Sequence, residues 1–585
     1  MHSARLFIYF VASKKLKLMK RYRLFFLAFA VALLLVSCGE QRPTQIKIVC
    51  TGDVHGHLFP YDSLTGDSVG GSLARVSSYL KEQRRQGGNV IYIDNGDMLQ
   101  GTPATYCYTT YYIGQTHVAA EALNYLQCDA VILGNNDIEP GGPTYQRYID
   151  DLACPMIGGN IEFRGTETPF LPPYTIVERE GVKVAILGLT TPAIPHWVPK
   201  CQWPELEFED MERSASRWMK YLQENVSPDI VIGLFHSGYE GGIVTDDYAE
   251  NASRAVAERV PGFDAVFYGH DHKPRTTKVV NVEGDTVLLL NPGKDAQRVA
   301  VVDVLIDNEG NTALEASLVG MENCIIDKEY IDHFASHIER IGGYLDRAIG
   351  VSDCMATPED ALFGPSAFMD FIHQMQLDVT GAKISFAAPL VYDALPEGEL
   401  KVRDIYRLYP YENNLYVLWL TGREIKNYLE MSYGLWTTRM SSSDDHLLLL
   451  DEAGNRLKNP YYYFDSAAGI IYEVDVTKPI GDKVSIKHMA DGTPFRMDER
   501  YMVAMNSYRA HGGGGLLTSG AGITHEQLHE RTEYATTADL RFYMLNYIEM
   551  RDSISPKTLN QWRFVPERWT VGAGGRDREL LFGKE

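Results

Sequence analysis

Six short apolar runs in the first half of the chain each read as a buried strand, and five of them end on Asp, Asn or His. The first is I-K-I-V-C-T-G-D-V-H-G-H, residues 46–57. Ile46, Ile48 and Cys50 alternate with Lys47, Val49 and Thr51, and Gly52 opens a tight turn. Asp53 and His55 follow at once. The run at 89–93 passes into Asp94-Asn95-Gly96-Asp97, and the run at 130–133 into Gly134-Asn135-Asn136-Asp137. The run at 230–235 ends in His236-Ser237-Gly238, and that at 265–268 in Gly269-His270-Asp271-His272. Only the run at 182–189 differs, closing on Thr190-Thr191. Between the runs lie helical patterns, such as 72–86 with Leu73, Val76 and Leu80 on one face, and 116–126 with Val118, Ala122 and Leu126. Strands alternating with helices make an α/β sheet, and such sheets take ligands at the carboxyl ends of their strands.

Asp53, His55, Asp97, Asn135, His236, His270 and His272 form a nitrogen-and-oxygen donor set with no thiolate. Seven donors exceed what one ion of this kind uses. They suit two ions sharing a bridging carboxylate, about 3.5–4 Å apart. Zn, Mn, Co, Fe and Ni all accept such a set, so the donors do not name the metal.

The order D-x-H, G-D, G-N-x-[DE], H, G-H-x-H resembles the calcineurin-like metallophosphoesterases. The mature chain as a whole resembles their bacterial 5′-nucleotidase branch, which includes UDP-sugar hydrolases and 2′,3′-cyclic-nucleotide phosphodiesterase/3′-nucleotidases. The resemblance implies an α/β protein: a four-layer αββα metallophosphoesterase sandwich over 38–328, a bridging helix over 329–350, and an α+β C-terminal domain of 5′-nucleotidase type over 351–570. It implies Asp53, His55, Asp97 and His272 around one metal, and Asp97, Asn135, His236 and His270 around the other. It further implies hydrolysis of a nucleotide phosphoester by water held on two divalent ions. Within the family this means a 5′-nucleotidase, or alternatively a 2′,3′-cyclic-nucleotide 2′-phosphodiesterase/3′-nucleotidase. A third reading is an envelope-anchored protein that binds metal and nucleotide with little turnover.

One position departs from the family. Its third block is G-N-H-[DE], whose His stabilises the phosphoryl transition state or protonates the leaving oxygen. Asn136 stands there in this chain, with Glu139 at the spacing of the carboxylate that orients the family's His. An amide donates a hydrogen bond but carries no charge and delivers no proton near neutral pH.

The second half carries Gly381-Ala382-Lys383-Ile384-Ser385-Phe386, Tyr409-Pro410-Tyr411-Glu412-Asn413 and Leu420-Thr421-Gly422-Arg423-Glu424-Ile425, which resemble pieces of the 5′-nucleotidase C-terminal domain. The resemblance places Tyr411, with Asn413 beside it, at one of two aromatic positions that sandwich a base. The second position falls on Leu516 or Leu517 after the Gly512–Gly515 run, and neither has a π face. The family's arginine for the nucleotide's anionic part falls on Ala387-Ala388-Pro389-Leu390, and Arg509 is the expected replacement. His333 and His337 are one helical turn apart with no third ligand, and read as solvated surface. The tail 571–585 shows no periodicity and reads as flexible.

Length and charge limit the partners. The 585 residues exceed one ordinary core, and a net charge of −22 opposes a polymeric nucleic acid while leaving small metal-held anions possible. The expected partners are a nucleotide and a membrane, for a chain that is otherwise a monomer. Met19-Lys20-Arg21-Tyr22-Arg23, the apolar stretch 24–36 and then Ser37-Cys38 resemble a bacterial lipoprotein signal, with cleavage before Cys38 and lipidation of its thiol. This implies a lipid anchor in a bacterial envelope, facing the periplasm or the cell surface. Met19 begins a complete signal, so residues 1–18 read as superfluous. The other seven cysteines are odd in number, without C-x-x-C, and form no disulfide framework.

Loss of one preorganised transition-state donor costs roughly 10²–10³ in rate. Asn136→His is therefore expected to raise phosphoesterase turnover by up to about that factor in a steady-state assay. An unchanged rate would show that the His is not what this site lacks.

Overall fold

A computed structural model describes residues 43–391 and 393–583, and the leader with Cys38 lies outside the described residues. Among the described residues no helix is long and apolar enough to cross a membrane. They fall into two compact units. The small one holds 43–46 with Asp303–Glu315, and the large one holds Lys47–Val302 with 316–583. In the small unit Asp307 closes the turn by accepting backbone N–H groups from Glu309 and Asn311, both at 2.8 Å.

The strands predicted from the apolar runs form and are central. The first sheet uses β1 (Thr44–Thr51), β2 (Asn89–Asp94), β3 (Ala130–Ile132) and β4 (Met156–Ile157). The second uses β5 (Tyr174–Arg179), β6 (Val182–Thr190), β7 (Ile230–His236), β8 (Ala265–Tyr268), β9 (Arg275–Val280) and β10 (Thr286–Asn291). The hairpin β11 (Arg298–Ile306) and β12 (Thr312–Gly320) extends the first sheet, giving the order β12-β11-β1-β2-β3-β4. The second sheet runs β9-β10-β8-β7-β6-β5. β3 and β7 are buried along their whole length, so they read as unbroken apolar runs. Pairing is parallel for β2 with β3, β6 with β7 and β7 with β8. Parallel pairing brings carboxyl ends to one rim.

The sheets pack face to face. A Cβ at Gly188 on β6 would lie 2.7 Å from Ile157 of β4, so glycine permits the approach. Helix α1 (Leu73–Arg85) buries Leu73, Val76 and Leu80 with the outer side of the first sheet. Helices α2 (Met211–Asn225) and α3 (Ser253–Arg259) bury Met219, Leu222 and Val256 with Leu187 and Val266 of the second. The result is the αββα sandwich.

In place of a single bridging helix the chain forms two, Lys328–His333 and Ala335–Asp346, broken at Phe334. His337 is buried, contrary to its expected surface position. It meets Tyr108 Oη through Nδ1 and Glu121 Oε2 through Nε2 at 3.1 Å, and His333 meets Glu121 Oε1 at 3.1 Å. The i, i+4 imidazoles thus serve one carboxylate on the helix Val118–Tyr125.

The C-terminal domain is built on β13 (Ile384–Ala387), β14 (Asn414–Thr421), β15 (Ser466–Ala468), β16 (Arg500–Asn506) and β17 (Thr532–Asp539), in the order β15-β13-β16-β14-β17. Helix α4 (Gly422–Trp436) begins in a capping box between Thr421 and Glu424. Its Trp436 stacks on Tyr433 and Phe464, with ring centres 4.9 and 5.4 Å away. Of the tyrosines between 406 and 433, Tyr406, Tyr409, Tyr416, Tyr428 and Tyr433 are buried, whereas Tyr411 is half exposed.

The tail departs from expectation. Helix α5 (Glu567–Phe582) occupies most of 571–585, and Asp577 on it is fully buried. Its carboxylate accepts N–H groups from Leu447 and Leu448 at 2.8 and 2.9 Å and meets His446 Nδ1. Only tertiary contact supplies these partners, so the weak periodicity of V-G-A-G-G-R concealed the helix. Asp577→Ala leaves two buried donors unpaired, at about 1–3 kcal/mol each. The expected outcome is a lower urea midpoint with faster amide exchange across 567–582. Unchanged exchange there would show that the carboxylate does not hold the helix.

Candidate active site and metal centre

The loops leaving β1, β2, β3, β7 and β8 bring the seven predicted donors to one rim. Twelve non-glycine residues among those described have positive φ, and Asp53, His55, Asp97, His270 and His272 are five of them, at +50°, +49°, +56°, +71° and +57°. Such backbone costs about 1–2 kcal/mol per residue. Its concentration on these loops places side chains where ordinary turns would not.

A set of buried polar groups holds the loops. Asp137 Oδ2 accepts the N–H groups of Asp97 (2.8 Å) and Gly134 (2.9 Å), and Oδ1 those of Met98 (2.8 Å) and Leu99 (2.9 Å). Burial and the Asp97 charge raise the Asp137 carboxyl to about 6. Asp94 accepts from Thr51 Oγ1 at 2.6 Å and from the Gly96 N–H at 3.1 Å, tying β1 to β2. Asn95 donates to Phe235 O at 2.9 Å and accepts from His236 Nδ1 at 2.7 Å through its own carbonyl. That last contact turns Nε2 of His236 toward Asp97.

The donors converge. Ligand atoms of Asp53, His55, Asp97 and His272 all lie within 4.8 Å of one another. His55 Nε2 is 3.0 Å from His272 Nε2, which is 3.5 Å from Asp53 Oδ1. On the other side, His236 Nε2 is 3.2 Å from Asp97 Oδ2 and 3.2 Å from Asn135 Oδ1. His270 stands beside them, its ring 5.4 Å from that of His236. Its backbone N–H reaches Asp53 at 3.0 Å, while its Nε2 faces Glu250 Oε1 at 3.1 Å. Burial opposes protonation of His236, but Asp97 overrides it and raises the imidazole to about 10. Burial also lowers His55, with Asp97 and Asp53 opposing. Two buried carboxylates with His55, His236 and His272 turned on them, and the His270 ring beside them, have the donor chemistry of a divalent-cation cage, so the residues fit the predicted ions.

Asn136 lies inside this cage and works on it. Its backbone N–H and its Nδ2 donate to Asp97 Oδ1 (2.8 Å) and Oδ2 (3.0 Å). The amide is spent on the central carboxylate. Glu139 accepts from Gln100 Nε2 at 2.9 Å, and burial, with Glu412 and Asp97 near, raises it to about 8. Glu250, Asp137 and Asn95 were missed from sequence. A four-residue helix Asn135–Ile138 follows Gly134, and its G-N-N-D spelling was the available sign for Asp137.

The C-terminal domain supplies a cavity of about 250 Å³ lined by Tyr411, Asn413 and Arg509, the three predicted substrate contacts. Two expectations are corrected there. Leu516 and Leu517 are buried in the core and do not face the cavity. Tyr462 and Tyr508 line it instead, with Tyr508 45% and Tyr411 50% exposed. Nor is Arg509 a free cation. Its guanidinium binds Asp465 at 2.8 Å, Gly513 O at 3.0 Å and Tyr462 O. Buried against a carboxylate, it shapes the cavity floor with its charge already matched. The loop carrying Tyr411 also reaches the cage. Glu412 Oε1 accepts the Gly101 N–H at 3.0 Å, and the neighbouring Gln100 carbonyl holds His55 Nδ1 at 3.3 Å.

Residues 46–274 match the calcineurin-like phosphoesterase family, and residues 348–519 match the 5′-nucleotidase C-terminal domain. The chain belongs to the 5′-nucleotidase family. Among curated relatives of this family it is 26% identical to the Haemophilus influenzae 2′,3′-cyclic-nucleotide 2′-phosphodiesterase/3′-nucleotidase, over 89% of this chain and 88% of that one. It is 24% identical to the Bacillus subtilis trifunctional nucleotide phosphoesterase protein YfkN, over 89% of this chain, and spans 39% of that relative's length. The fold is shared with a Thermus thermophilus 5′-nucleotidase precursor at a TM-score of 0.56 and 21% identity, over 89% of this chain and all of that one.

Gly134 offers a direct test of the family's cage in this chain. A Cβ there would lie 2.1 Å from Asp97 Oδ1 and 2.7 Å from His236 Cε1. Gly134→Ala is expected to lose bound divalent metal, read by elemental analysis after dialysis, while its melting temperature stays within a few degrees of the parent. Full retention of metal would disprove the central place given to Asp97.

Proposed function

We propose that this protein hydrolyses a phosphate ester of a nucleotide at the rim of its N-terminal sheets. Asp53, His55, Asp97 and His272 would hold one divalent ion, and Asp97, Asn135, His236 and His270 the other. The ions, once bound, would supply Lewis acidity to the phosphoryl oxygens and activate water for in-line attack. The observation that carries the reading is the strut from Glu412 to Gly101, which joins an aromatic cavity of nucleobase size to the loop that orients His55.

The side chains divide the work. Tyr411, Tyr462 and Tyr508 offer faces on which a base stacks, worth about 1–3 kcal/mol per base. Asn413 Nδ2 donates to Tyr409 Oη at 3.3 Å and Oδ1 accepts from Ser507 Oγ at 3.2 Å, which fixes its amide beside Tyr411. With Asn136 bound to Asp97, no group at that position moves a proton to the departing nucleoside oxygen, which supports slow turnover. The leader with Cys38 supports an envelope-facing, lipid-anchored setting.

A second reading, a 2′,3′-cyclic-nucleotide phosphodiesterase/3′-nucleotidase, is favoured by the Haemophilus influenzae relative, which this chain covers over 88% of its length. One assay with added divalent metal separates the readings, using 5′-AMP, 3′-AMP, 2′,3′-cyclic AMP and UDP-glucose, with nucleotide binding measured in parallel. Binding without turnover of any of the four would replace hydrolysis by a binding role. Tyr411→Ala is expected to raise KM for the preferred nucleotide about tenfold, with no effect on KM for p-nitrophenyl phosphate, which has no base. Equal effects on both would remove Tyr411 from base recognition.

A further inference from the structure

A second cavity, of about 460 Å³, lies between the segment 195–201 of the N-terminal domain and elements of the C-terminal domain. Four histidines line it: His196 from the first, and His511, His525 and His529 from the second. No carboxylate lines it. Fifteen histidines are described, and eleven of them make a side-chain hydrogen bond or ion pair with a described residue. The four that make none are the four in this cavity. His196 and His511 are partly buried, where polar groups are normally satisfied, whereas His525 and His529 stand at the exposed mouth of the recess.

Their spacing carries the argument further. His525 and His529 begin and nearly end the short helix His525–Arg531, whose sequence opens H-E-Q-L-H. Two imidazoles one helical turn apart share a helix face and can bind one metal ion. Leu528, between them, is buried and lines the same cavity, so that face is turned inward. His525 lies against the turn that carries His511, since a Cβ on Gly512 would be 2.8 Å from His525 Cε1. His511 packs edge-on to Tyr416, with ring centres 4.8 Å apart. His196 adjoins Trp197, whose carbonyl accepts from Tyr416 Oη at 3.4 Å. The four rings are close enough that His196, His525 and His529 all disfavour a proton on His511, after burial itself.

We propose that His196, His511, His525 and His529 bind one transition-metal ion of the Zn²⁺, Ni²⁺ or Cu²⁺ class, at a site separate from the phosphoesterase cage and bridging the two domains. Neutral imidazoles without carboxylates select ions of this class over Mg²⁺ or Ca²⁺. Glu526 is exposed and does not line the cavity, although its charge reaches His525 and His196, so the wall of the recess offers the ion imidazoles and no carboxylate. The rings stand around the recess and do not yet meet at one point; among the described residues the cage alone has three or more donors within 4.8 Å. Binding therefore draws the helix toward His196. Trp197 next to it lies 5.4 Å from His270, so occupancy would also stiffen one wall of the cage.

The test uses the full chain dialysed against low-micromolar Zn²⁺, with metal counted per chain. The parent is expected to retain one more equivalent than the His525→Ala/His529→Ala variant, whose exposed positions leave the core intact. The Gly134→Ala chain, with the cage disabled, should keep that equivalent and lose it on adding the same two changes. His196→Ala should weaken it at least tenfold. Protection from amide exchange at 525–531 should rise with Zn²⁺ in the parent and not in the double variant. Equal metal content in parent and double variant would overturn the site, and unaltered affinity in His196→Ala would overturn the bridge between domains.

Discussion

One buried carboxylate organises the loops on which the site is built. Asp137 accepts four backbone N–H groups from two segments, 97–99 and Gly134, and makes them a single surface. Hydrogen bonds to a charged group contribute about 1.5–3 kcal/mol each, and four of them offset part of the cost of burying the charge, which still raises the carboxyl to about 6. Because one of the four donors is the Asp97 N–H, the anchor fixes the residue at the centre of the cage. Gly134 is the counterpart constraint. Its lack of a side chain lets Asp97 and His236 approach the loop closely enough to face each other at 3.2 Å.

The cage is a concentration of unfavourable terms that the scaffold carries. Asp53 and Asp97 are buried near one another, and five donors sit on left-handed backbone. Either feature alone would destabilise a loop. They persist because the two sheets that carry the loops are buried at their centres, with β3 of the first and β7 of the second inaccessible along their length. Strain and charge are held at the rim by rigid strands beneath. Asn136 fits this picture as a support for Asp97: both its donors point to that carboxylate.

The second domain works through packing and through polar contacts with the first, one of which runs to the loop beside the cage. Its aromatic residues are mostly a core in which Trp436, Tyr433 and Phe464 stack, and the few left outside form the cavity wall. Arg509 shows how a charged residue becomes structure: Asp465 and two carbonyls consume its donors. Glu412 plays the linking part, paired with buried Arg541 at 2.8 Å and reaching the Gly101 N–H. Movement of the cavity relative to the cage must break that contact.

The sequence determined the sandwich and marked seven candidate donors, because a strand period, a turn and a ligand type are local features that recur five times over 53–272. It marked Tyr411, Asn413 and Arg509, which line one cavity, though not what Arg509 does there. Only the tertiary structure decided the rest. Tyr462 and Tyr508 in place of Leu516 and Leu517, the helix ending at Phe582, burial of His337 and the four histidines around one recess all depend on residues far apart in the chain. Periodicity is written within a few turns of chain, whereas the partner of a buried polar group is chosen by whichever distant segment packs against it.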